Sequence, residues 1–252
     1  MTPAQTGRVA WTVITIFIVE SLVFGLSVLP AFYFWTWTLT WAIPDFPLLR
    51  PAIVATTLVP AYLVFSFALV VLSAFSTRLC GWRTAPNGVW KLRELEWPLL
   101  DWVRYMVSTH VVRVLVGTFF RASPLWTWYL RWNGARIGRG VHINSLSISD
   151  HNMLEFGDGV VIGENVHLSG HTVEGGMVKT GPVRLSRFVT VGLGSMVGIN
   201  VEAGEKCQIG ALSVVLKGSK LDGDSIYAGV PARKIDKRTP AAVVLPETTG
   251  EP

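Results

Sequence analysis

Among the five histidines of this sequence, His171 stands in the setting that best suits chemistry. An imidazole titrates near neutral pH, so it takes a proton without help from its surroundings, as a general base must. His171 belongs to the stretch Ser169-Gly170-His171-Thr172-Val173-Glu174-Gly175-Gly176, which interrupts an otherwise regular repeat. A loop leaving a rigid scaffold is a frequent carrier of function. Glu174, three residues on, is placed to orient the imidazole or to bind a cationic group. His142, His151 and His167 fall in or beside repeat turns, where a polar side chain is expected to face solvent. Only Cys80 and Cys207 are present, which implies no disulfide framework and agrees with a reducing compartment.

The repeat that must position these residues has a period of six. Leu185, Val191, Val197, Ala203, Ile209, Val215, Leu221 and Tyr227 are all apolar, and Gly192, Gly198, Gly204 and Gly210 follow four successive members directly. At this chain's glycine content, composition alone would place four such glycines about once in ten thousand trials. The same phase recurs upstream in Ile137-Gly138 and Ile143, then in Phe156-Gly157, Ile162-Gly163 and Leu168. Six fits neither the 3.6 of a helix face nor the alternation of a half-exposed sheet. It fits a solenoid in which each hexad is one short strand and a turn, the apolar residue points to the axis, and glycine permits the bend. Leu168 and Leu185 are 17 apart where 18 would keep register, and the His171 stretch fills that gap. The segment Pro124–Trp132 is expected to cap the first coil, and the chain after Val230 the last.

The N-terminal half has a different character. Half of all residues are hydrophobic and the mean hydropathy is +0.42, a surplus concentrated where Glu20 is the only ionisable residue from Val9 to Pro44 and none occurs from Pro51 to Thr77. A span takes about 20 apolar residues, so two retained transmembrane helices are expected: Val9 to Leu29, kinked or ended by Pro30, and Pro51 to about Arg78. Pro44 and Pro47 would turn the chain between them. Glu20 inside a span is a functional candidate, or else a protonated carboxyl satisfied by a neighbour. From Arg78 to Arg139 ten cations face Glu94, Glu96 and Asp101, interleaved with seven tryptophans. That excess after a span places the C-terminal domain in the cytoplasm. It suits contact with an anionic leaflet and argues against nucleic acid. Trp97 to Phe120 reads as an interfacial amphipathic helix, the alternative being a third span that would reverse the side on which the C-terminal domain lies. The expected organisation is therefore a two-helix transmembrane anchor (1–80), a helical linker and cap (81–134), a β-helix (135–235) and a flexible tail (236–252).

The region from Ile137 to Ile235 resembles the hexapeptide-repeat acyltransferases, whose fold is a left-handed parallel β-helix with three hexads per coil. The resemblance is carried by the repeat and by a closing stretch, Ile209-Gly210-Ala211-Leu212-Ser213-Val214-Val215 and Tyr227-Ala228-Gly229-Val230-Pro231-Ala232-Arg233. Trp132-Asn133-Gly134-Ala135-Arg136-Ile137-Gly138, His171-Thr172-Val173-Glu174 and Gly181-Pro182-Val183 are similar to the membrane-bearing terminal domains of non-ribosomal peptide synthetases, including poly-lysine synthetases. The resemblance implies a homotrimer with sites between neighbouring prisms. It implies an acyl or aminoacyl group moved from CoA or a carrier-protein phosphopantetheine thioester to an amine or hydroxyl, with His171 removing the acceptor's proton. Gly192, Gly194, Gly210 and Ala211 would let the pantetheine arm approach the backbone, and Lys217, Arg233 (in Pro231-Ala232-Arg233) and Lys234 would meet phosphates. The fold also hosts three-histidine zinc enzymes. His167 and His171 have no third partner at matching spacing, so no metal is expected. Two further readings remain open at this point: the peptide-bond-forming partner of a peptide synthetase, with a carrier protein or synthetase as partner, and a non-catalytic trimeric membrane scaffold.

Overall fold

A computed structural model describes residues 1–41 and 48–235. The expected turn at Pro44 and Pro47 and the expected tail 236–252 lie outside the described residues. Helix α1 (Pro3–Thr38) begins at a capping box, with Thr2 accepting from the Gln5 amide and Gln5 accepting from that of Thr2. It continues through Pro30 to Thr38, so of the two expectations at that proline an end at Leu29 is overturned. One proline removes a single hydrogen bond, and in an apolar helix the surrounding ladder persists. The aromatic run from Phe32 to Trp37 therefore extends the helix. Helix α2 (Leu49–Leu79) packs along α1 and contains Pro60.

The linker is more than a helical spacer. After α2 the chain lays a short strand, Val89–Lys91, against a hairpin of the C-terminal domain, then forms α3 (Trp97–Leu115) and α4 (Gly117–Phe120). Helix α3 buries Leu99, Leu100, Tyr105 and Val112 and contacts both α1 and α2. Its polar residues are turned into the protein: buried Arg104 bonds Asp101 at 2.6 Å and Thr15 of α1 at 3.0 Å. A helix thus stands where the interfacial one was expected, shorter at its C-terminal end, and both apolar and polar side chains of it pack against the protein. Helix α5 (Pro124–Trp132), capped by Ser123, buries Trp126, Tyr129 and Leu130 against the first coil, as expected of a cap.

The C-terminal domain is the left-handed β-helix the repeat implies, a prism with three parallel faces. One face stacks Arg136–Ile137, Leu154–Phe156, Val183–Leu185, Val201–Ala203 and Lys220–Leu221. The second stacks His142–Ile143, Val161–Ile162, Thr190–Val191, Gln208–Ile209 and Ile226–Ala228, and the third His167–Leu168, Met196–Val197 and Val214–Val215. Paired residues such as Val191 and Ile209, or Val197 and Val215, are 18 apart, so one coil is three hexads. The inward residues Ile143, Ile162, Val191, Ile209, Leu168, Val197, Leu185 and Ala203 form one buried ladder. Arg233–Ile235 closes the last coil by pairing antiparallel with Ile226–Ala228.

Two coils depart from 18. Ile162 and Val191 are stacked partners 29 residues apart, because an antiparallel hairpin, His171–Glu174 with Met177–Thr180, leaves the prism between its third and first faces. The interval from Leu168 to Leu185 is thus one corner lengthened by eleven residues, not a coil shortened by one. One coil earlier Ile143 and Ile162 are 19 apart, and the extra residue lies at the same corner, around Asp150.

Coils approach closely at the glycines. A Cβ on Gly192 would stand 2.5 Å from the Ala211 amide nitrogen and 2.8 Å from its Cα. Gly192→Ala should therefore force the coils apart and cost about 1–3 kcal/mol, read as a lower melting temperature of the β-helix. An unchanged melting temperature would refute this packing.

Candidate active site

The two irregular corners are stacked, and the candidate site forms where they meet. Asp150 sits in the left-handed region at φ 53° and is fully buried. Its Oδ2 lies 2.5 Å from His171 Nδ1 and accepts from the Gly170 amide at 3.1 Å, Ser149 Oγ at 3.1 Å and Ser169 Oγ at 3.2 Å. Its Oδ1 accepts from Thr84 Oγ1 at 2.7 Å and Trp102 Nε1 at 3.0 Å. Burial pushes this carboxyl's pKa up, but the hydrogen bond and charge of His171, with the Thr84 and Ser149 bonds, outweigh it and hold the pKa below the usual carboxylate value.

This arrangement fixes the imidazole. With Nδ1–H donating to Asp150, the lone pair is on Nε2, which makes no hydrogen bond among the described residues. The His171 side chain is 20% exposed, so Nε2 is reachable from outside while Nδ1 is enclosed. Trp102 from α3 meets the ring edge-on, 4.8 Å between centroids, and holds its plane. Gly170 leaves room for the turn: a Cβ there would meet Met153 at 2.5 Å and Asp150 Cβ at 2.9 Å. A buried carboxylate, an oriented imidazole and one exposed ring nitrogen can together remove a proton from an attacking group and return it to a leaving group.

Glu174 does not orient the imidazole. Its carboxylate is held by Lys179 at 2.6 Å and Lys217 at 2.6 Å, which depress its pKa to about 2. Asp150 takes the orienting position instead, from another coil and 21 residues away in sequence. The sequence did signal it, through the one-residue phase slip between Ile143 and Phe156. Lys217, expected at a phosphate, braces the hairpin through Glu174. Lys234 pairs with Asp222 at 2.8 Å, and Arg233 is exposed in the closing strand. Gly192, Gly194, Gly210 and Ala211 stack at the edge between the second and third faces, and Pro231 lies in the last coil. Within the chain the structure brings His171 together with Asp150, Ser169 and Trp102, and leaves that glycine edge at another corner.

His151 is also a correction. The turn containing the extra residue directs it inward, where it is 1% exposed between Tyr105 and Tyr129, each 5.9 Å between ring centroids. Burial lowers its pKa to about 4. His142 and His167 are exposed, as expected.

No family model matches the chain. It is 24% identical over 139 residues to the delta-poly-L-ornithine synthetase of Acinetobacter baumannii (strain AB307-0294), an alignment covering 54% of this chain and a tenth of that relative's length. Among solved structures it is similar to a hexapeptide-repeat acetyltransferase from Vibrio cholerae complexed with acetyl coenzyme A, with 22% identity, 41% of this chain and 60% of that one covered, and TM-score 0.37. An N-acyltransferase from Bacillus cereus gives 28%, 42%, 61% and 0.32. A galactoside acetyltransferase in complex with coenzyme A gives 19%, 60%, 86% and 0.42.

The burial of His151 has a consequence for acid stability. Its folded pKa lies below the unfolded value of about 6.5, so its contribution is complete above pH 6.5 and is lost as pH falls toward 4. The loss over that window should approach about 3 kcal/mol at 1.36 kcal/mol per unit. Denaturant melts of wild type and His151→Phe between pH 7 and 4 read it directly. Equal slopes in the two proteins would contradict a neutral buried imidazole.

Proposed function

We propose that this chain is a membrane-anchored acyltransferase in which His171 is the general base and Asp150 its orienting partner. Nε2 takes the proton of an amine or hydroxyl as that group attacks a thioester carbonyl. The new C–N or C–O bond forms, the C–S bond breaks, and the imidazolium returns its proton to the departing thiolate. The observation that carries this reading is the 2.5 Å contact between a fully buried carboxylate and an imidazole whose other nitrogen is open to the outside. Pantetheine-linked donors, acyl-CoA or a carrier-bound thioester, share the reacting thioester.

Membrane anchoring is supported by the surface of the two long helices. Only 17% of the apolar stretch of α1 and 33% of that of α2 is buried, and Trp11, Phe17, Leu22, Phe67 and Phe75 all point outward. In water such a surface would be a severe liability, whereas in hydrocarbon it is the ordinary lipid face. The cations that follow α2 favour a β-helix on the cytoplasmic side of the cell (inner) membrane. Three such chains would place the glycine edge of one prism beside the His171 corner of the next, with the donor arm between them.

A second reading, peptide-bond formation beside a synthetase, is favoured by the similarity to a poly-ornithine synthetase. It uses the same base with an aminoacyl thioester as donor and an amine as acceptor, and it makes a carrier protein or synthetase a partner.

The test is thiol release from acetyl-CoA and from an aminoacyl-pantetheine by the detergent-purified full chain, with a panel of amines that includes ornithine and lysine. His171→Ala should slow amine-dependent release by about 10²–10⁴-fold, and Asp150→Asn by at least about tenfold. Glu174→Gln should change it far less. A chain that only scaffolds membrane helices would show no histidine-dependent release with any donor.

A further inference from the structure

Away from the His171 face lies an open cavity of about 740 Å³, bounded by the end of α2, the segment that follows it, and the first coils of the prism. That volume is ordinary for a small-molecule site. Its charge is not ordinary. Arg78, Arg83, Arg136 and Arg184 line it, against Glu155 as the only carboxylate in its wall among the described residues. Glu155 is already shared by Arg136 at 3.5 Å and Arg184 at 3.4 Å, and Arg184 is steadied further by Glu202 at 3.0 Å. Arg78 and Arg83 make no ion pair or side-chain hydrogen bond among the described residues. One carboxylate shared by two of them leaves the wall with an excess of positive charge, carried by the unpaired Arg78 and Arg83, and guanidinium matches phosphate oxygens in a bidentate fork.

Position adds a second argument. Arg78 stands in the last turn of α2, and Thr77 beside it is also in the wall, so the cavity opens where the apolar helix surface ends. The indoles of Trp82 and Trp132 contribute apolar wall, with Trp82 also beneath the Arg104 guanidinium at 6.0 Å. Asn152 separates the cavity from the candidate active site, since its side chain holds Thr84 by 2.8 Å and 3.3 Å bonds and Thr84 in turn holds Asp150.

We infer that this cavity is a binding site for a phosphate-bearing anion, seated between the helix pair and the β-helix and gripped by Arg78, Arg83, Arg136 and Arg184. The phosphate can belong to the headgroup of an anionic lipid or to a soluble phosphate compound. Anion binding itself does not depend on the acyl-transfer reading. Only the lipid source depends on α1 and α2 lying in a bilayer.

The experiment uses the full chain in nanodiscs of phosphatidylcholine alone or mixed with phosphatidylglycerol, with retained lipid counted by native mass spectrometry. In parallel, inorganic phosphate and pyrophosphate are titrated against the detergent-purified chain, with melting temperature as the readout. Arg78→Gln with Arg83→Gln removes two cations that brace nothing in the fold. Arg187→Gln, on a prism surface outside the cavity and paired only with Glu205, makes the same kind of charge change as a control. Selective retention of phosphatidylglycerol, reduced about tenfold or more in the double variant and unchanged in the control, assigns the site to a lipid headgroup. Stabilisation by phosphate or pyrophosphate with the same arginine dependence assigns it to a soluble phosphate. Absence of both effects, or equal effects in the double variant and wild type, overturns the proposal. His171→Ala should leave anion binding intact, so a failure of the catalytic reading and a failure of this one are separable.

Discussion

A carboxylate with no access to water governs the architecture around the candidate site. An ion buried alone costs several kcal/mol, so Asp150 requires donors from every direction. It receives them from four separate parts of the chain: Thr84 after α2, Trp102 on α3, Ser149 beside it, and Ser169, Gly170 and His171 at the base of the hairpin. Each donor depends on a different element being in place. The prism supplies two stacked corners, the hairpin supplies the imidazole, and the linker closes the back. That dependence explains why the segment after α2 follows the domain surface so closely, with Val89–Lys91 pairing onto the hairpin and Thr180 bonded to Ala85 and Gly88.

The solenoid makes such precision affordable. Its coils repeat at 18 residues, and two insertions at one corner, of one residue and eleven, leave the ladder of Ile143, Ile162, Val191 and Ile209 unbroken. A rigid stack can carry an irregular edge because backbone pairing on the three faces is unaffected by what a corner does. The resulting pair is held by neighbours on both sides, whereas a histidine on a free loop would sample many rotamers.

Much of this was legible in the sequence, and the reasons differ from part to part. The hexads were plain because each inward residue repeats the same packing problem, so composition and phase reinforce one another. The two apolar helices were plain from hydropathy, while their ends were not, since Pro30 marks a possible break that an apolar helix does not need to take. His171 stood out because it lies in an interruption of the repeat. Glu174 was misread because nearness in sequence suggested a partner, while the hairpin register turns it toward Lys179 and Lys217. Asp150 went unnoticed because a single-residue slip is faint beside an eleven-residue one, and its pairing with His171 exists only once coils stack. His151 looked like a solvent-facing turn residue for the same reason: which way a turn residue faces depends on the bulge at that corner.

The central claim is that Asp150 holds His171 with Nδ1 protonated and Nε2 open as the proton acceptor. Selective ¹⁵N-histidine NMR of the full chain, compared between wild type and Asp150→Asn, tests it most directly. The account predicts a His171 signal of the Nδ1–H tautomer in wild type, with that preference weakened or lost in the variant. A wild-type ring protonated on Nε2 alone, or a ring indifferent to Asp150→Asn, would contradict it.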